Sequence, residues 1–74
     1  MSKLKLVNSK KLEKFLFDEG FVKIRQVGSH VFYKHIDGRY TTLPHHSNED
    51  LPRPLIRTVL REINISIEEY NNKI

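Results

Sequence analysis

Apolar residues recur at helical spacing in the first quarter of the chain. Leu12, Phe15 and Leu16 stand at positions i, i+3 and i+4, so they would line one face of an amphipathic helix. Asn8 precedes them and belongs to the residue types that cap helix starts, while Gly20 follows and suits the left-handed conformation that ends a helix. The pattern predicts a first helix that begins after an Asn8 cap and stops before Gly20.

The following segment changes to the alternation of apolar and polar residues that is typical of β-strands. Three strands are predicted, over residues 21–27, 30–36 and 39–44. The Asp37-Gly38 pair suits a tight hairpin turn between the second strand and the third. Strand residues alternate between two faces, so His30, Phe32 and Lys34 share one face, and a buried lysine would be costly in a small core. We therefore expect that face to be open and to carry His30 outward.

A second amphipathic helix is predicted after a polar connection over residues 45–55. Its buried stripe consists of Leu55, Ile56, Val59, Leu60 and Ile63. Pro52 or Pro54 suits its first turn. Beside the stripe, three residues recur every fourth position and are called the arginine ridge below: Arg53, Arg57 and Arg61. Residues 66–69, "SIEE", have the form of a capping box that opens a final helical turn.

These elements define an α+β fold of the order α-β-β-β-α, in which a three-stranded antiparallel sheet has helices on one face and leaves the other free. The 74 residues are expected to form one small domain, residues 1–74, with a modest core. The chain has no cysteine, so we expect neither a disulfide nor a thiolate metal site. No apolar stretch is long enough to span a bilayer, and the N-terminus lacks a signal-peptide pattern. We expect a cytoplasmic protein with no membrane partner.

The net charge of +4 is spread unevenly along the chain. Residues 1–40 contain nine Lys or Arg against four Asp or Glu, whereas residues 41–74 contain four against five. A basic patch of this kind attracts phosphates or an acidic protein partner through a long-range field. It is equally compatible with a role in solubility alone.

Four residues are the candidates for acid–base chemistry near neutral pH: His30, His35, His45 and His46. Structural zinc usually needs four ligands and favours thiolates, so we expect no metal site. A serine-nucleophile site at Ser29 is disfavoured because no glycine elbow surrounds this residue, and no phosphate loop or dinucleotide motif occurs. For each histidine, the simpler interpretation is a hydrogen-bonded surface residue.

A basic sheet face that carries a histidine and an aromatic ring suits RNA. Phe32 and Tyr40 offer surfaces on which bases can stack. Cleavage of RNA by attack of a 2′-hydroxyl requires one group that accepts a proton, another that donates one, and cations that neutralise the phosphorane. Such a reaction requires no cofactor, and we expect no small-molecule cofactor for this chain.

The ordered series "GSHVFYKH", "DGR", "TTLPHHS" and "LREINISIEEY" resembles the HicA family, the mRNA-interferase toxins of toxin–antitoxin pairs. The resemblance extends from about Asn8 to Tyr70. It implies a fold like that of a double-stranded-RNA-binding domain, endoribonuclease activity on mRNA, and a HicB-type antitoxin that covers the toxin. In the family, the histidine after Gly-Ser is the catalytic residue and corresponds to His30. The histidine often found after the proline of the third strand corresponds to His46.

Residues and resemblance together predict a toxin that cleaves mRNA without a metal ion. His30 is expected to act as general acid or base, with Ser29 and His46 as auxiliary residues. Lys34 is expected to steady the scissile phosphate. The further residues expected to bind RNA are Phe32, Arg39, Arg53, Arg57, Arg61, Lys10 and Lys11. Two alternatives stay open: a non-catalytic RNA-binding module of the same fold, and a small domain that only docks on a protein partner.

Overall fold

The computed structural model describes residues 3–45 and 47–74. In these residues the chain forms three helices and three strands: α1 (Ser9–Asp18), β1 (Phe21–Val27), β2 (His30–His35), β3 (Tyr40–Pro44), α2 (Arg53–Glu62) and α3 (Ile67–Lys73). The predicted α+β fold is confirmed, and the predicted final turn is a helix of its own. His46 lies outside the described residues. None of the described helices is long and apolar enough to cross a membrane.

The sheet is antiparallel throughout, with β2 between β1 and β3. The bounds predicted for the first strand are confirmed, whereas Ile36 belongs to the hairpin turn and Arg39 precedes the third strand. A β-bulge in β1 inserts Ile24 as an extra residue between Lys23 and Arg25. Because the extra residue shifts the alternation by one, Arg25 lies on the face opposite to Lys23.

One hydrophobic core fills the space between the helices and one face of the sheet. Its largest fully buried side chains are Tyr33, Tyr70, Leu12, Leu16, Leu43, Ile56 and Ile63. Along β2, the buried Val31 and Tyr33 alternate with the exposed His30 and Lys34 and the half-buried Phe32. The face that carries Lys34 is therefore the open one, as the cost of burying a lysine predicts.

Side chains cap α1 and α3. Asn8 accepts a hydrogen bond from the backbone N–H of Lys11 at 2.9 Å, and Ser66 accepts one from the N–H of Glu69 at 3.0 Å. Both caps agree with the sequence pattern. In α3 the Ser66 half of the capping box is formed, and the Glu69 carboxylate accepts from Lys73 at 3.0 Å.

Backbone conformation limits α2 at both ends. Pro52 is its N-cap and Pro54 lies in its first turn, where a missing N–H costs no helical hydrogen bond. After the helix, Asn64 adopts a φ of 58° and turns the chain toward α3. In α3, Tyr70 is buried and its hydroxyl donates to the carbonyl of Lys5 at 2.7 Å. This bond ties the last helix to the N-terminal segment.

His35 packs over the turn that links α1 to β1. A Cβ placed on Gly20, whose φ is +93°, would lie 2.9 Å from Nε2 of His35. The imidazole also meets the Phe21 ring edge-on, at 5.1 Å between ring centroids. The backbone N–H of Asp37 donates to Nδ1 of His35 at 3.1 Å. His35 is therefore part of the folded framework, on the face opposite to His30.

We expect Gly20→Ala to destabilise the protein by about 1–2 kcal/mol for the positive φ, with a further cost for the contact with His35. In a His35→Ala background that contact is absent. The cost of Gly20→Ala should then fall to that of Gly28→Ala, where φ is +60° and no atom lies within 4 Å of the added Cβ. Urea unfolding of the single and double variants measures these differences. An equal cost of Gly20→Ala in both backgrounds would contradict the contact.

Candidate active site

The open face of the sheet consists of three cross-strand rows. The rows are Val22–Lys34–Tyr40, Arg25–Phe32–Thr42 and Val27–His30–Pro44. None of these residues is acidic, and several of the apolar ones are well exposed. The face therefore combines positive charge with apolar and aromatic surface, which suits a polyanion that carries planar bases.

His30 is the first residue of β2 and is exposed at one end of the open face. Beside it, between β3 and α2, lies a depression of about 290 Å³, called the His30 depression below. From the sheet, Thr42 and Pro44 line it. From α2, the lining residues are Leu55, Thr58, Val59 and Glu62. The imidazole is thus positioned to exchange a proton with a molecule bound beside it.

Phe32 forms the centre of a diagonal stack across the three strands. The guanidinium of Arg25 lies over the Phe32 ring, 4.5 Å from its centroid. The ring of Tyr40 lies 6.0 Å from that of Phe32 and is tilted by 41°. Tyr40 is 44% exposed, so part of this stack is open to a planar ligand. Rings and guanidinium planes are the groups on which unpaired RNA bases stack.

Lys34 shares the open face with His30 but lies four residues further along β2. Four strand residues span about 13 Å. His30 and Lys34 therefore lie toward opposite ends of β2 on the same open face.

Arg39 is held by the fold. Its guanidinium donates to Asp37 at 2.8 Å and also to the carbonyl of Ile63 at the end of α2. It lies 5.2 Å from the centroid of the Phe21 ring, on the helix side of the sheet. The backbone N–H of Arg39, its side chain and His35 together lower the pKa of Asp37. These contacts stabilise the hairpin and separate Arg39 from the open face.

The arginine ridge runs along the side of α2 that faces away from the His30 depression. At 100° per residue, the mean angular position of the three ridge residues about the helix axis differs by roughly 150° from that of the α2 residues that line the depression. Arg53 donates to the carbonyl of Leu4 at 3.2 Å. Arg57 and Arg61 are exposed. The ridge and His30 therefore lie on different surfaces.

Lys10 and Lys11 are exposed at the start of α1, on the helix side of the molecule. Lys10 lines a second, open depression of about 390 Å³ together with His45. Ser29 lies in the turn between β1 and β2, and its carbonyl accepts from the backbone N–H of His45 at 2.6 Å. Lys10 and Lys11 therefore do not lie beside His30, whereas Ser29 is its neighbour in the sequence.

His45 belongs to a polar cluster under the sheet. The Tyr33 hydroxyl donates to the Glu13 carboxylate, and it lies 2.9 Å from Nε2 of His45. Since the carboxylate can only accept, the Tyr33 oxygen accepts from the His45 N–H. Lys23 lies 3.7 Å from the same carboxylate. Burial and the Glu13 carboxylate raise the pKa of Tyr33 well above its ordinary range. His45 is therefore tied to the core side of the sheet and does not join His30.

The chain matches a model of a known protein family. The family model for the HicA toxin of bacterial toxin–antitoxin systems matches residues 9–65. The chain belongs to the HicA toxin family. The match begins with α1 and ends just after α2, so it includes the whole open face, the His30 depression and the arginine ridge. As a HicA toxin, the chain is one component of a toxin–antitoxin pair. No curated protein matched the chain.

Four residues of this HicA toxin that adjoin His30 or Phe32 escaped the sequence analysis: Arg25, Thr42, Thr58 and Glu62. Arg25 reaches the open face only because the bulge at Ile24 shifts the alternation of β1. Thr58 and Glu62 are four residues apart and therefore lie on the same side of α2. This spacing is the sequence feature that could have indicated that they act together. Within residues 3–45 and 47–74, no three His, Asp or Glu side chains converge on a point that could hold a metal ion.

Tyr33→Phe should destabilise the toxin by about 1–3 kcal/mol, because Glu13 and His45 would lose a hydrogen-bonding partner in a partly buried site. Tyr70→Phe is the matched control, since it removes one hydroxyl that contacts a single carbonyl and should cost only about 0.5–1.5 kcal/mol. Urea unfolding at pH 7 measures both. A loss for Tyr33→Phe that is no larger than the control would contradict the cluster's role.

Proposed function

We propose that this HicA toxin is an endoribonuclease that cleaves mRNA without a metal ion and uses His30 as its catalytic residue. The observation that carries the proposal is the position of His30: exposed, beside a depression, and on the same open face as cations and aromatic rings. A histidine that served only the fold would be expected to have partners of the kind that His35 and His45 have.

In the proposed reaction the 2′-hydroxyl of one nucleotide attacks the adjacent phosphorus. The bond from phosphorus to the 5′-oxygen of the next nucleotide breaks, and a 2′,3′-cyclic phosphate remains. His30 either takes the proton of the attacking hydroxyl or gives one to the leaving oxygen. Ser29 directly precedes His30 in the sequence, and His46 comes two positions after Pro44, the last residue of β3; both are the auxiliary residues proposed from the sequence. Positive charge on the open face stabilises the phosphorane.

RNA would cross the open face in single-stranded form. Phe32 and Tyr40 would stack against unpaired bases, with Arg25 beside them, and Lys34 would contact a phosphate neighbouring the one that is cut. The arginine ridge, Lys10 and Lys11 would hold more distant phosphates. Arg39 is a weaker candidate for direct binding, because its guanidinium already has two partners within the fold.

A HicB-type antitoxin is the proposed protein partner. It would occupy the open face or its rim and so compete with RNA. The positive field of the toxin suits an acidic surface on such a partner. In this proposal one face serves both the substrate and the inhibitor.

His30→Ala should lower the rate of RNA cleavage by about 10²–10⁴-fold while changing the free energy of unfolding by no more than about 0.5 kcal/mol. His35→Ala should do the reverse, because His35 packs on Phe21 and over Gly20. The test is cleavage of a labelled transcript, with and without EDTA, beside thermal melting and analysis of the new 3′ ends. Wild-type cleavage by His30→Ala would show that His30 is not the catalytic residue. Binding without cleavage by the wild-type protein would leave a non-catalytic RNA-binding module, and 3′-hydroxyl products or loss of activity in EDTA would reject the mechanism.

Short and long RNAs should distinguish the contribution of the open face to RNA binding from that of the arginine ridge. Lys34→Ala should weaken binding of a short unpaired oligonucleotide and flatten its log–log salt dependence by roughly 0.7–1 unit. Arg57→Ala should have this effect only with an RNA long enough to pass from the open face round to α2. Fluorescence anisotropy over a salt series measures both variants in an otherwise inactive His30→Ala background. An unchanged slope for Arg57→Ala with long RNA would exclude the arginine ridge from RNA binding.

A further inference from the structure

The His30 depression has the size and lining of a site for one planar group. Its volume of about 290 Å³ corresponds to that of roughly ten water molecules, below the range of most drug-sized pockets. Pro44, Leu55 and Val59 give it apolar surface, while Thr42 and Thr58 bring hydroxyl groups. Apolar walls with a few polar groups are what a base needs for stacking contacts and for recognition of its edge.

Glu62 is the acidic residue of the lining. One of its oxygens, Oε1, accepts a hydrogen bond from the hydroxyl of Thr41 at 2.8 Å. Thr41 is fully buried, so this bond fixes the carboxylate at the edge of the sheet. The other oxygen remains able to accept, because a carboxylate has acceptor sites on both oxygens. Glu62 is exposed, so its carboxylate is accessible to a ligand in the depression, and it would repel a nearby phosphate unless a donor of the ligand contacts it.

We propose that the His30 depression binds the base next to the cleaved phosphate and that Glu62 selects a base with an exocyclic amino group. Adenine, cytosine and guanine present such a donor, and carboxylates pair with amino groups of bases in this way. Uracil presents its one N–H between two carbonyl oxygens, which a carboxylate repels. The inference rests on the proposed function, since it takes the bond cleaved at His30 as its reference point.

Glu62→Gln should reverse this selection without disturbing the fold. The hydroxyl of Thr41 needs an acceptor, and the amide oxygen of glutamine supplies one in place of Oε1. The amide NH₂ then takes the place of the free carboxylate oxygen, so a donor replaces an acceptor in the depression. A donor favours the carbonyl oxygen of uracil. Glu68→Gln is the matched control, because it makes the same charge change at an exposed position in the first turn of α3.

The experiment is cleavage of an RNA pool of randomised sequence, with sequencing of the ends that wild type, Glu62→Gln and Glu68→Gln produce. At one of the two positions that flank the cut, wild type should disfavour uracil, and Glu62→Gln should raise the odds of uracil by roughly tenfold or more. Glu68→Gln should reproduce the wild-type frequencies. Unchanged frequencies in Glu62→Gln would overturn the proposal. An equal loss of rate at every base would do so as well, because it would identify Glu62 as a catalytic residue.

A binding measurement separates this inference from the proposed function. Cytidine and uridine monophosphates are titrated into the wild-type toxin and Glu62→Gln, and the amide NMR shifts of Thr42 and Thr58 are followed. Stronger shifts with the cytidine nucleotide in wild type, reversed in Glu62→Gln, would support the depression as a base site even if the protein failed to cleave RNA. Absence of shifts at both residues with both nucleotides would overturn it, even if His30-dependent cleavage were observed.

Discussion

Alternation along the central strand is the constraint on which the rest of the molecule depends. Val31 and Tyr33 of β2 are buried against the helices, so their neighbours His30 and Lys34 must point to the opposite face. A slip of one residue would bury a histidine and a lysine and expose two core side chains. The core and the candidate active site are therefore two sides of the same six-residue strand.

The polar groups beneath the sheet allow this strand to carry a tyrosine in its buried row. The hydroxyl of Tyr33 would be costly to bury alone, but Glu13 of α1 and His45 after β3 both contact it. The contacts link the first helix, the central strand and the segment that follows the sheet. His45 is consequently committed to the framework, as His35 is by its packing over Gly20. Of the histidines in the described residues, His30 is the one left facing solvent.

The basic charge of the chain is divided among surfaces rather than gathered around His30. Lys34 and Arg25 lie on the open face, the arginine ridge lies on the far side of α2, and Arg39 stabilises the hairpin. The side of α2 next to β3 places Glu62 and Thr58 at the His30 depression, and β3 places Thr42 there. This division suits the proposed function, in which the toxin would hold a long RNA at several points and present one short stretch of it to His30.

The sequence by itself determined the elements and the outward position of His30. Caps at Asn8 and Ser66, the left-handed position at Gly20 and the alternation along β2 are local signals, and each acts within a few residues. Tertiary structure alone decided which side chains meet across elements. The bulge at Ile24 moved Arg25 to the open face, and the packing of α2 against β3 brought Glu62 to His30 while turning the arginine ridge away. Such contacts depend on where a bulge falls and on which strand a helix packs against, and the spacing of residues within one element specifies neither.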